Sequence, residues 1–275
     1  MQKTLLITGS TDGIGLEAAK LLASQGHRVL LHGRSQNKLD AAAQVLAAVP
    51  GAGPVECYLA DLSKLADVDR LARTLAQKHQ RLDCLINNAG IFRTRDTRTE
   101  DGLDVRFAVN TIAPYLLTRR LLPLLDESGR VVNLSSAAQA PVELDMLSGA
   151  RTIADDFAAY AQSKLALTMW SRSLALSLST VGPAIIAVNP GSMLGSKMVK
   201  EGFGVDGGDL GKGARILARL ALEDEFSAAS GLYFDNDIGR LAPPHRDALD
   251  PQKSEAVVRC IERVLADLAI DCSPG

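Results

Sequence analysis

Short apolar runs alternate with segments of helical periodicity along most of this 275-residue chain. The apolar runs have glycine, proline or polar residues at or near their ends. Unbroken runs of this kind are typical of strands that a parallel sheet buries on both faces. We predict seven strands, at 3–9, 28–33, 54–60, 82–88, 130–135, 184–190 and 231–235. The segments between them predict helices at 13–25, 36–48, 63–80, 101–125 and 156–180.

This alternation of strand and helix predicts an α/β fold with a single Rossmann-type, doubly wound parallel sheet of about seven strands flanked by helices. The chain contains no repeat, low-complexity tract or linker that would divide it, so we expect one domain over residues 1–275. Two connections are unusual. Residues 138–155 form a longer link than a strand and helix usually need, and residues 191–212, rich in Gly and Ser, have the composition of a mobile loop.

The composition excludes several kinds of partner. The formal net charge is -2 and no long block of Lys and Arg occurs, which argues against nucleic acid or an anionic membrane as a partner. Four widely spaced cysteines without a CxxC motif indicate neither a metal site nor a disulfide framework. No apolar run reaches the roughly 18 residues that span a bilayer. The first strand begins too early to leave room for a signal peptide, so we expect a soluble, cytoplasmic protein.

A glycine-rich turn joins the first strand to the first helix in "LLITGSTDGIGLEAAKLLASQG". Gly9, Gly13 and Gly15 allow a tight turn and let the backbone approach a ligand closely. The helix that follows presents backbone N–H groups and a positive dipole end, which suit a pyrophosphate. The spacing is Gly-x-x-x-Gly-x-Gly, not the commoner Gly-x-Gly-x-x-Gly. An ordinary glycine-rich turn is the alternative.

A tyrosine and a lysine share one face of the fifth predicted helix, in "AYAQSKLALTMW". Tyr160 and Lys164 are four residues apart, which brings their side chains together on a helix. A free phenol has a pKa near 10 and is a poor acid–base catalyst at neutral pH. We expect the Lys164 ammonium to lower the pKa of Tyr160 toward neutrality. The alternative is a packing aromatic residue beside a lysine that extends to solvent.

The end of the second strand bears on the choice of dinucleotide. Proteins that prefer NAD carry an Asp or Glu near this point, roughly 20 residues beyond the glycine turn, to bind the ribose 2′-hydroxyl. Here His32, Gly33 and Arg34 occupy it, and the next acid is Asp40. The Arg34 guanidinium suits a phosphate, so we predict NADP (NADPH) as cofactor, with NAD disfavoured. A solvated arginine at the start of a loop is the alternative.

Six motifs in a fixed order together resemble the short-chain dehydrogenase/reductase family. They are "TGSTDGIG", "NNAG" (87–90), Asn110, "VNLSS" (132–136), Tyr160-x-x-x-Lys164 and "NPG" (189–191), and the likeness extends from about residue 4 to about residue 240. Within the family, the segment "EDGLDVRFAVNTIAPYLLTRRLLPLL" and the motifs "AYAQSKLA" and "SGLYF" are similar to the retinol dehydrogenase-like group. The resemblance does not include the N-terminal membrane anchor of many vertebrate members.

The resemblance implies an oxidoreductase that moves hydride between a nicotinamide and an alcohol/carbonyl pair. It makes Tyr160 the general acid/base and Ser136 the residue that orients the substrate oxygen, with Ser135 as a structural neighbour. Lys164 would also bind the nicotinamide ribose. Asn110 would distort its helix and hold a water in a proton relay that ends at Lys164. Without the family context, a buried Asn satisfied by backbone is an equal alternative.

Cofactor-binding positions follow from the same resemblance. Asp61 would accept from the adenine amino group, or could instead cap the helix that follows it. The implied cofactor set is Gly9, Thr11, Asp12, Gly13, Ile14, Gly15, Arg34, Asp61, Leu62, Asn88, Ala89, Gly90, Tyr160, Lys164, Pro190 and Gly191. Ser196 stands where the group has a threonine after its Pro-Gly motif.

The loop at 191–212 carries apolar residues that suggest a lid over a hydrophobic or mixed carbonyl compound: Met193, Leu194, Met198, Val199 and Phe203. The expected partner is thus a small alcohol, aldehyde or ketone, and a homodimer or homotetramer is expected.

Two other functions remain open. One is a sugar-nucleotide epimerase or dehydratase, which the phosphate-loop pattern disfavours. The other is a non-catalytic dinucleotide-sensing regulator or scaffold, which the retained Asn110, Ser136, Tyr160 and Lys164 disfavour.

Overall fold

The computed structural model describes residues 1–178, 182–195, 197, 199–200 and 204–273. Within these residues, one eight-stranded sheet has the order β3-β2-β1-β4-β5-β6-β7-β8. The strands are β1 (Thr4–Ile7), β2 (Arg28–Gly33), β3 (Val55–Leu59), β4 (Cys84–Asn87), β5 (Arg130–Leu134), β6 (Ala184–Asn189), β7 (Tyr233–Asp235) and β8 (Arg240–Ala242). Every neighbouring pair except β7–β8 is parallel. From β1 to β3 the strands are added toward one edge of the sheet, and from β4 onward they are added toward the other edge. At such a point between β1 and β4, an α/β sheet has a crevice at the carboxyl ends of its strands.

The seven predicted strands are confirmed to within two residues at each end. The eighth strand was not predicted, because its sequence "RLA" is only three residues long and largely exposed. It adds an antiparallel edge to the otherwise parallel sheet. The doubly wound α/β fold is therefore confirmed, with eight strands in place of about seven.

Helices cover both faces of the sheet. They are α1 (Gly13–Ser24), α2 (Gln36–Ala47), α3 (Leu65–Lys78), α4 (Val105–Phe107), α5 (Ala113–Leu121), α6 (Leu144–Leu147), α7 (Asp156–Leu178), α8 (Leu210–Leu222) and α9 (Pro251–Asp267), with a π-helix at Ala108–Ile112 and 3₁₀ turns at Leu122–Leu124, Asp224–Phe226 and Arg246–Leu249. Four of the five predicted helices correspond to α1, α2, α3 and α7, and the fifth, at 101–125, is divided into α4, the π-helix, α5 and a 3₁₀ turn. Helices α6, α8 and α9 were not predicted. In the part of the chain that the structure describes, no helix is both long and apolar enough to cross a membrane.

The core forms two layers because successive strand residues point to opposite faces. Leu6 faces the layer under α3, α5, α7 and α9, while its neighbours Leu5 and Ile7 face the layer under α1, α2 and α8. All three side chains are fully buried. Burial on both faces explains why the strands read as unbroken apolar runs.

His32 at the end of β2 ties three segments of the carboxyl edge together. Its Nδ1 accepts a hydrogen bond from the Gly9 N–H at 3.1 Å, so the ring proton lies on Nε2, which is 3.1 Å from the Ala60 carbonyl oxygen. The ring is almost completely buried, and this burial lowers the pKa of His32 to about 4. The neutral ring therefore holds the turn after β1 and the end of β3 to β2.

The buried His32 should make stability depend on pH. Its pKa is lower in the folded chain than the ordinary value of 6.5, so the unfolded chain binds more protons between pH 6.5 and 4. The contribution of His32 to the free energy of unfolding is therefore fully present above pH 6.5. It is lost as the pH falls from 6.5 to 4, by up to about 3 kcal/mol. His32→Gln keeps a donor and an acceptor without titrating, so its free energy of unfolding should fall less steeply over that interval.

Urea unfolding of both proteins between pH 7 and pH 4.5 measures the difference. His245→Gln, which removes a histidine from the loop after β8, is the matched control. Parallel pH profiles for wild type and His32→Gln would show that His32 does not carry the effect.

Candidate functional site

The glycine turn after β1 lies directly against the segment that follows β4. Gly9 and Gly13 have φ values of 63° and 57°, in the left-handed region that favours glycine. A Cβ on Gly9 would lie 2.9 Å from the Ala89 Cα, and one on Gly15 would lie 2.4 Å from the Asn88 Nδ2. Gly9 is therefore required by both its backbone conformation and close packing, Gly13 by its backbone conformation and Gly15 by close packing.

Hydrogen bonds fix this turn at the start of α1. The Asn88 amide donates to the Thr8 and Gly9 carbonyl oxygens at 2.9 and 3.1 Å. The Asp12 carboxylate caps α1 by accepting from the Gly13 N–H at 2.8 Å. The first turn of α1, which includes Ile14 and Gly15, is thus held with its N–H end at the sheet's crevice, a geometry that binds anions.

Arg34 lies beside the same turn. It is exposed and follows β2 directly, in the connection to α2. A Cβ on the preceding Gly33 would lie 2.7 Å from the Thr11 Cγ2, so the end of β2 is in close contact with the glycine turn. Among the described residues, Arg34 forms no ion pair. Its charge is therefore available next to the predicted phosphate site.

Asp61 does not cap α3, so the alternative interpretation of Asp61 as the cap of the helix that follows it is wrong. The Asp61 carboxylate accepts from the Ser63 N–H at 3.0 Å and from its hydroxyl at 2.8 Å, in a turn before the helix. The cap position of α3 is Lys64, and the Leu65 N–H is satisfied by Asp101 at 3.2 Å. The next residue after Asp61, Leu62, is buried and packs into the core.

Asn110 lies in the π-helix and is buried. Its Oδ1 accepts from the Ile91 N–H at 2.8 Å, and its Nδ2 donates to the Ile91 carbonyl oxygen and to the Ser163 Oγ, each at 2.9 Å. Ser163 donates in turn to the Tyr160 carbonyl oxygen at 2.7 Å. The expected distortion of the helix is therefore present. The hydrogen bonds of Asn110 connect the π-helix to the segment after Gly90 and to the turn of α7 that carries Tyr160.

A buried arginine connects the same two helices. Arg106 is 0% exposed, and its guanidinium donates to both Asp104 oxygens, at 2.8 and 2.6 Å, and to Asp156. Asp156 is the first residue of α7, one turn before Tyr160. Arg106 could not be identified as a site residue from the sequence, because an arginine within a helical pattern is usually solvated.

The paired serines after β5 have different environments. Ser135 is buried, with its Oγ 3.2 Å from the Lys164 carbonyl oxygen and 2.7 Å from the Thr168 hydroxyl, so it packs against the backbone of α7. Ser136 is partly exposed and its side chain is hydrogen-bonded to Tyr160. The Tyr233 hydroxyl donates to the Ser136 carbonyl oxygen at 3.1 Å. Tyr233 belongs to the "SGLYF" motif, which was noted in the sequence without a role in the site.

Lys164 lies beneath Tyr160 in a dry environment. It is buried, its Nζ is 5.6 Å from the centroid of the Tyr160 ring, and it donates to the Leu134 carbonyl oxygen at 2.7 Å. Burial lowers the pKa of Lys164 to about 7. An ammonium in this position is costly because it has lost its hydration.

The pKa of Tyr160 differs in direction from the prediction. Burial raises it above its ordinary value, and only the hydrogen bond with Ser136 acts in the opposite direction. The expectation that Lys164 lowers this pKa is therefore wrong for this arrangement. The reason is desolvation, which destabilises both the phenolate and the ammonium that would have stabilised it.

The turn after β7 fixes the Pro-Gly segment that follows β6. The Asn236 amide donates to the Pro190 carbonyl oxygen at 2.8 Å, and the Asp237 carboxylate accepts from the Ser192 N–H at 2.8 Å. Gly191 has a φ of 128°, which favours glycine. No pattern in the sequence indicated Asn236 or Asp237, because their partners lie more than 40 residues away.

The predicted lid is only partly described. Ser196, Met198 and Phe203 lie outside the described residues. Met193 is 42% exposed, as a lid residue could be, but Leu194 is 5% exposed and lies against Gly191 and Gly213. Leu194 therefore anchors the start of the loop to the body of the protein.

Three comparisons bear on the family. The short chain dehydrogenase family model matches residues 3–203. Human retinol dehydrogenase 13 is 33% identical over 251 residues, which cover 85% of this chain and 76% of that protein. The structure of an uncharacterized protein from Mycobacterium paratuberculosis superposes with a TM-score of 0.78 at 29% identity, covering 96% of this chain and 94% of that one.

A short-chain dehydrogenase from Shigella flexneri, in a structure complexed with NADP, superposes with a TM-score of 0.69 at 26% identity and covers 85% of this chain and 96% of that one. Fold, motif order and sequence likeness agree. The chain belongs to the short-chain dehydrogenase/reductase family and is similar to its retinol dehydrogenase-like members.

Proposed function

We propose that this protein is an NADP-dependent oxidoreductase that interconverts an alcohol and a carbonyl compound. The observation that carries the proposal is the convergence of Ser136, Tyr160 and Lys164 at the carboxyl edge of β5. The Tyr160 phenol is hydrogen-bonded to Ser136, and the Lys164 Nζ lies 5.6 Å from its ring. A bound nicotinamide would supply or accept the hydride; the residues of the chain supply the proton and the orientation.

Tyr160 acts as the general acid in carbonyl reduction. Because burial raises its pKa, the phenol is protonated at neutral pH and able to donate to a carbonyl oxygen. Ser136 orients that oxygen through its own hydroxyl. Lys164, with a pKa of about 7, can gain or lose a proton near neutral pH and so can exchange protons beside Tyr160.

Asn110 has a positioning role in this proposal. Both of its amide protons and one of its Oδ1 lone pairs are engaged by Ile91 and Ser163. Its side chain therefore holds the π-helix against α7 and keeps Tyr160 in place. The water relay from Asn110 to Lys164 stays a prediction.

The residues around the glycine turn fit a phosphorylated dinucleotide. Gly9 and Gly15 allow close approach, the start of α1 offers N–H groups, and Arg34 supplies a cation without an ion-pair partner among the described residues. The end of β2 carries no acid that would repel a 2′-phosphate. A similar protein, from Shigella flexneri, has been solved with NADP. These observations support NADP over NAD.

Tyr160→Phe tests the catalytic role. Removing one hydroxyl should leave folding and cofactor binding near normal, while turnover should fall by ~10²-fold or more through loss of the proton donor. NADPH oxidation with a panel of aldehydes and ketones measures the rate. Tyr58→Phe removes a hydroxyl that bonds to Glu56 and His79 instead and is the matched control.

A Tyr160→Phe protein that kept more than about a tenth of the wild-type rate would contradict the acid role. Wild type that binds NADPH tightly but turns over no member of the panel would favour the alternative, a dinucleotide-sensing regulator or scaffold.

Arg34→Asp tests the choice of cofactor. The substitution replaces a phosphate-binding cation with a carboxylate, so the preference should shift toward NAD by about 1.5–3 kcal/mol. Dissociation constants of NADPH and NADH for both proteins give the ratio. Arg240→Asp makes the same charge change on β8, six strands away from β2, and should leave the ratio unaltered. A wild type that binds the two cofactors equally would overturn the assignment.

A further inference from the structure

An aromatic cluster formed by Phe92 and Phe157 adjoins Tyr160. The Phe92 ring is tilted against the Tyr160 ring at a centroid distance of 5.2 Å. Phe157 lies edge-on to Phe92 at 6.4 Å, with an interplanar angle of 81°. Phe92 is 4% exposed, so it forms the fixed base of the cluster.

Phe157 is the exposed member. It is 50% exposed, although it packs against Phe92 and lies three residues before Tyr160 on α7. Residues three apart lie on the same side of a helix, so Phe157 and Tyr160 border one surface. A large, rigid aromatic side chain that remains half exposed beside a polar reactive group is typical of a ligand-binding wall.

The charges around the cluster are already engaged. The Arg93 guanidinium lies over the Phe92 ring, 5.4 Å from its centroid, and its Nε is 3.9 Å from Asp156. Asp156 is also paired with the buried Arg106. Asp155, before α7, accepts from the Ala158 N–H at 2.9 Å. Among the described residues that contact the cluster, the Arg93 guanidinium is thus paired with Asp156 and is not left to bind an anionic substrate, while the Asp155 carboxylate would repel one.

We infer that the substrate is a neutral carbonyl compound with a planar aromatic group next to the carbonyl, of the benzaldehyde type. This inference rests on the proposed function. The substrate ring would lie against Phe157 while its oxygen faces Tyr160 and Ser136. In the reduction, a bound NADPH would supply hydride to the carbonyl carbon, and the oxygen would accept the Tyr160 proton, which solvent replaces. The products are the primary alcohol and NADP⁺.

The test compares benzaldehyde with hexanal, a neutral aldehyde without a ring, in wild type and three variants. Wild type should have the higher kcat/KM for benzaldehyde. Phe157→Ala should raise KM for benzaldehyde by about five- to tenfold and change KM for hexanal by less than about twofold, because only the ring–ring contact is specific to benzaldehyde. Phe157→Leu keeps apolar area without a ring and should fall between. Leu176→Ala, at a 61% exposed position near the other end of α7, is the control.

Two results would overturn the inference, and they are distinguishable. If hexanal and benzaldehyde are reduced equally well, or if Phe157→Ala changes both KM values alike, the aromatic wall does not select the substrate while the proposed function stands. If no aldehyde or ketone is reduced by wild type that binds NADPH, the proposed function itself fails and the inference fails with it.

Discussion

The geometry of the site depends on the ion pairs that the fully buried Arg106 guanidinium forms with Asp104 and Asp156. The guanidinium joins Asp104, just before the π-helix, to Asp156 at the start of α7, and so fixes the two helical segments that carry Asn110 and Tyr160. A buried charge that loses its partner costs roughly 3–5 kcal/mol. All three groups therefore have to be present together. The hydrogen bonds from Asn110 and Thr111 to Ser163 then align the helices in register.

Most of the fold could be predicted from the sequence, because burial on both faces leaves a strong signal. The runs at β2 and β6 are continuous and apolar, and their bounds were predicted closely. The edge strand β8 gave no such signal, since it is short and exposed. The sequence of α9 also carries a recognisable helix signal, although this helix was not predicted. Asp250 caps the helix, Pro251 begins it, and Val257, Ile261 and Val264 recur on one buried face.

Site residues could be predicted from the sequence only where they lie close to one another along the chain. Tyr160 and Lys164 are one helical turn apart, and the glycine turn is contiguous, so both could be recognised in the sequence. The direction of the pKa shift of Tyr160 could not be predicted from the sequence, because it depends on how many atoms surround the phenol in three dimensions. His32 and Asp237 were also missed as positioning residues, since their bonds to Gly9 and Ser192 connect distant parts of the chain.

The π-helix at Ala108–Ile112 limits how this chain can change in length. A π-turn contains one residue more than the α-helical turn it replaces, and the Ala113 N–H accordingly bonds back to the Ala108 carbonyl oxygen. Deleting one residue here would restore a regular α-helix but rotate the preceding residues by about 100° relative to those that follow. Arg106 would turn away from Asp156. A single-residue deletion that makes the local helix regular would therefore break the ion pair between Arg106 and Asp156.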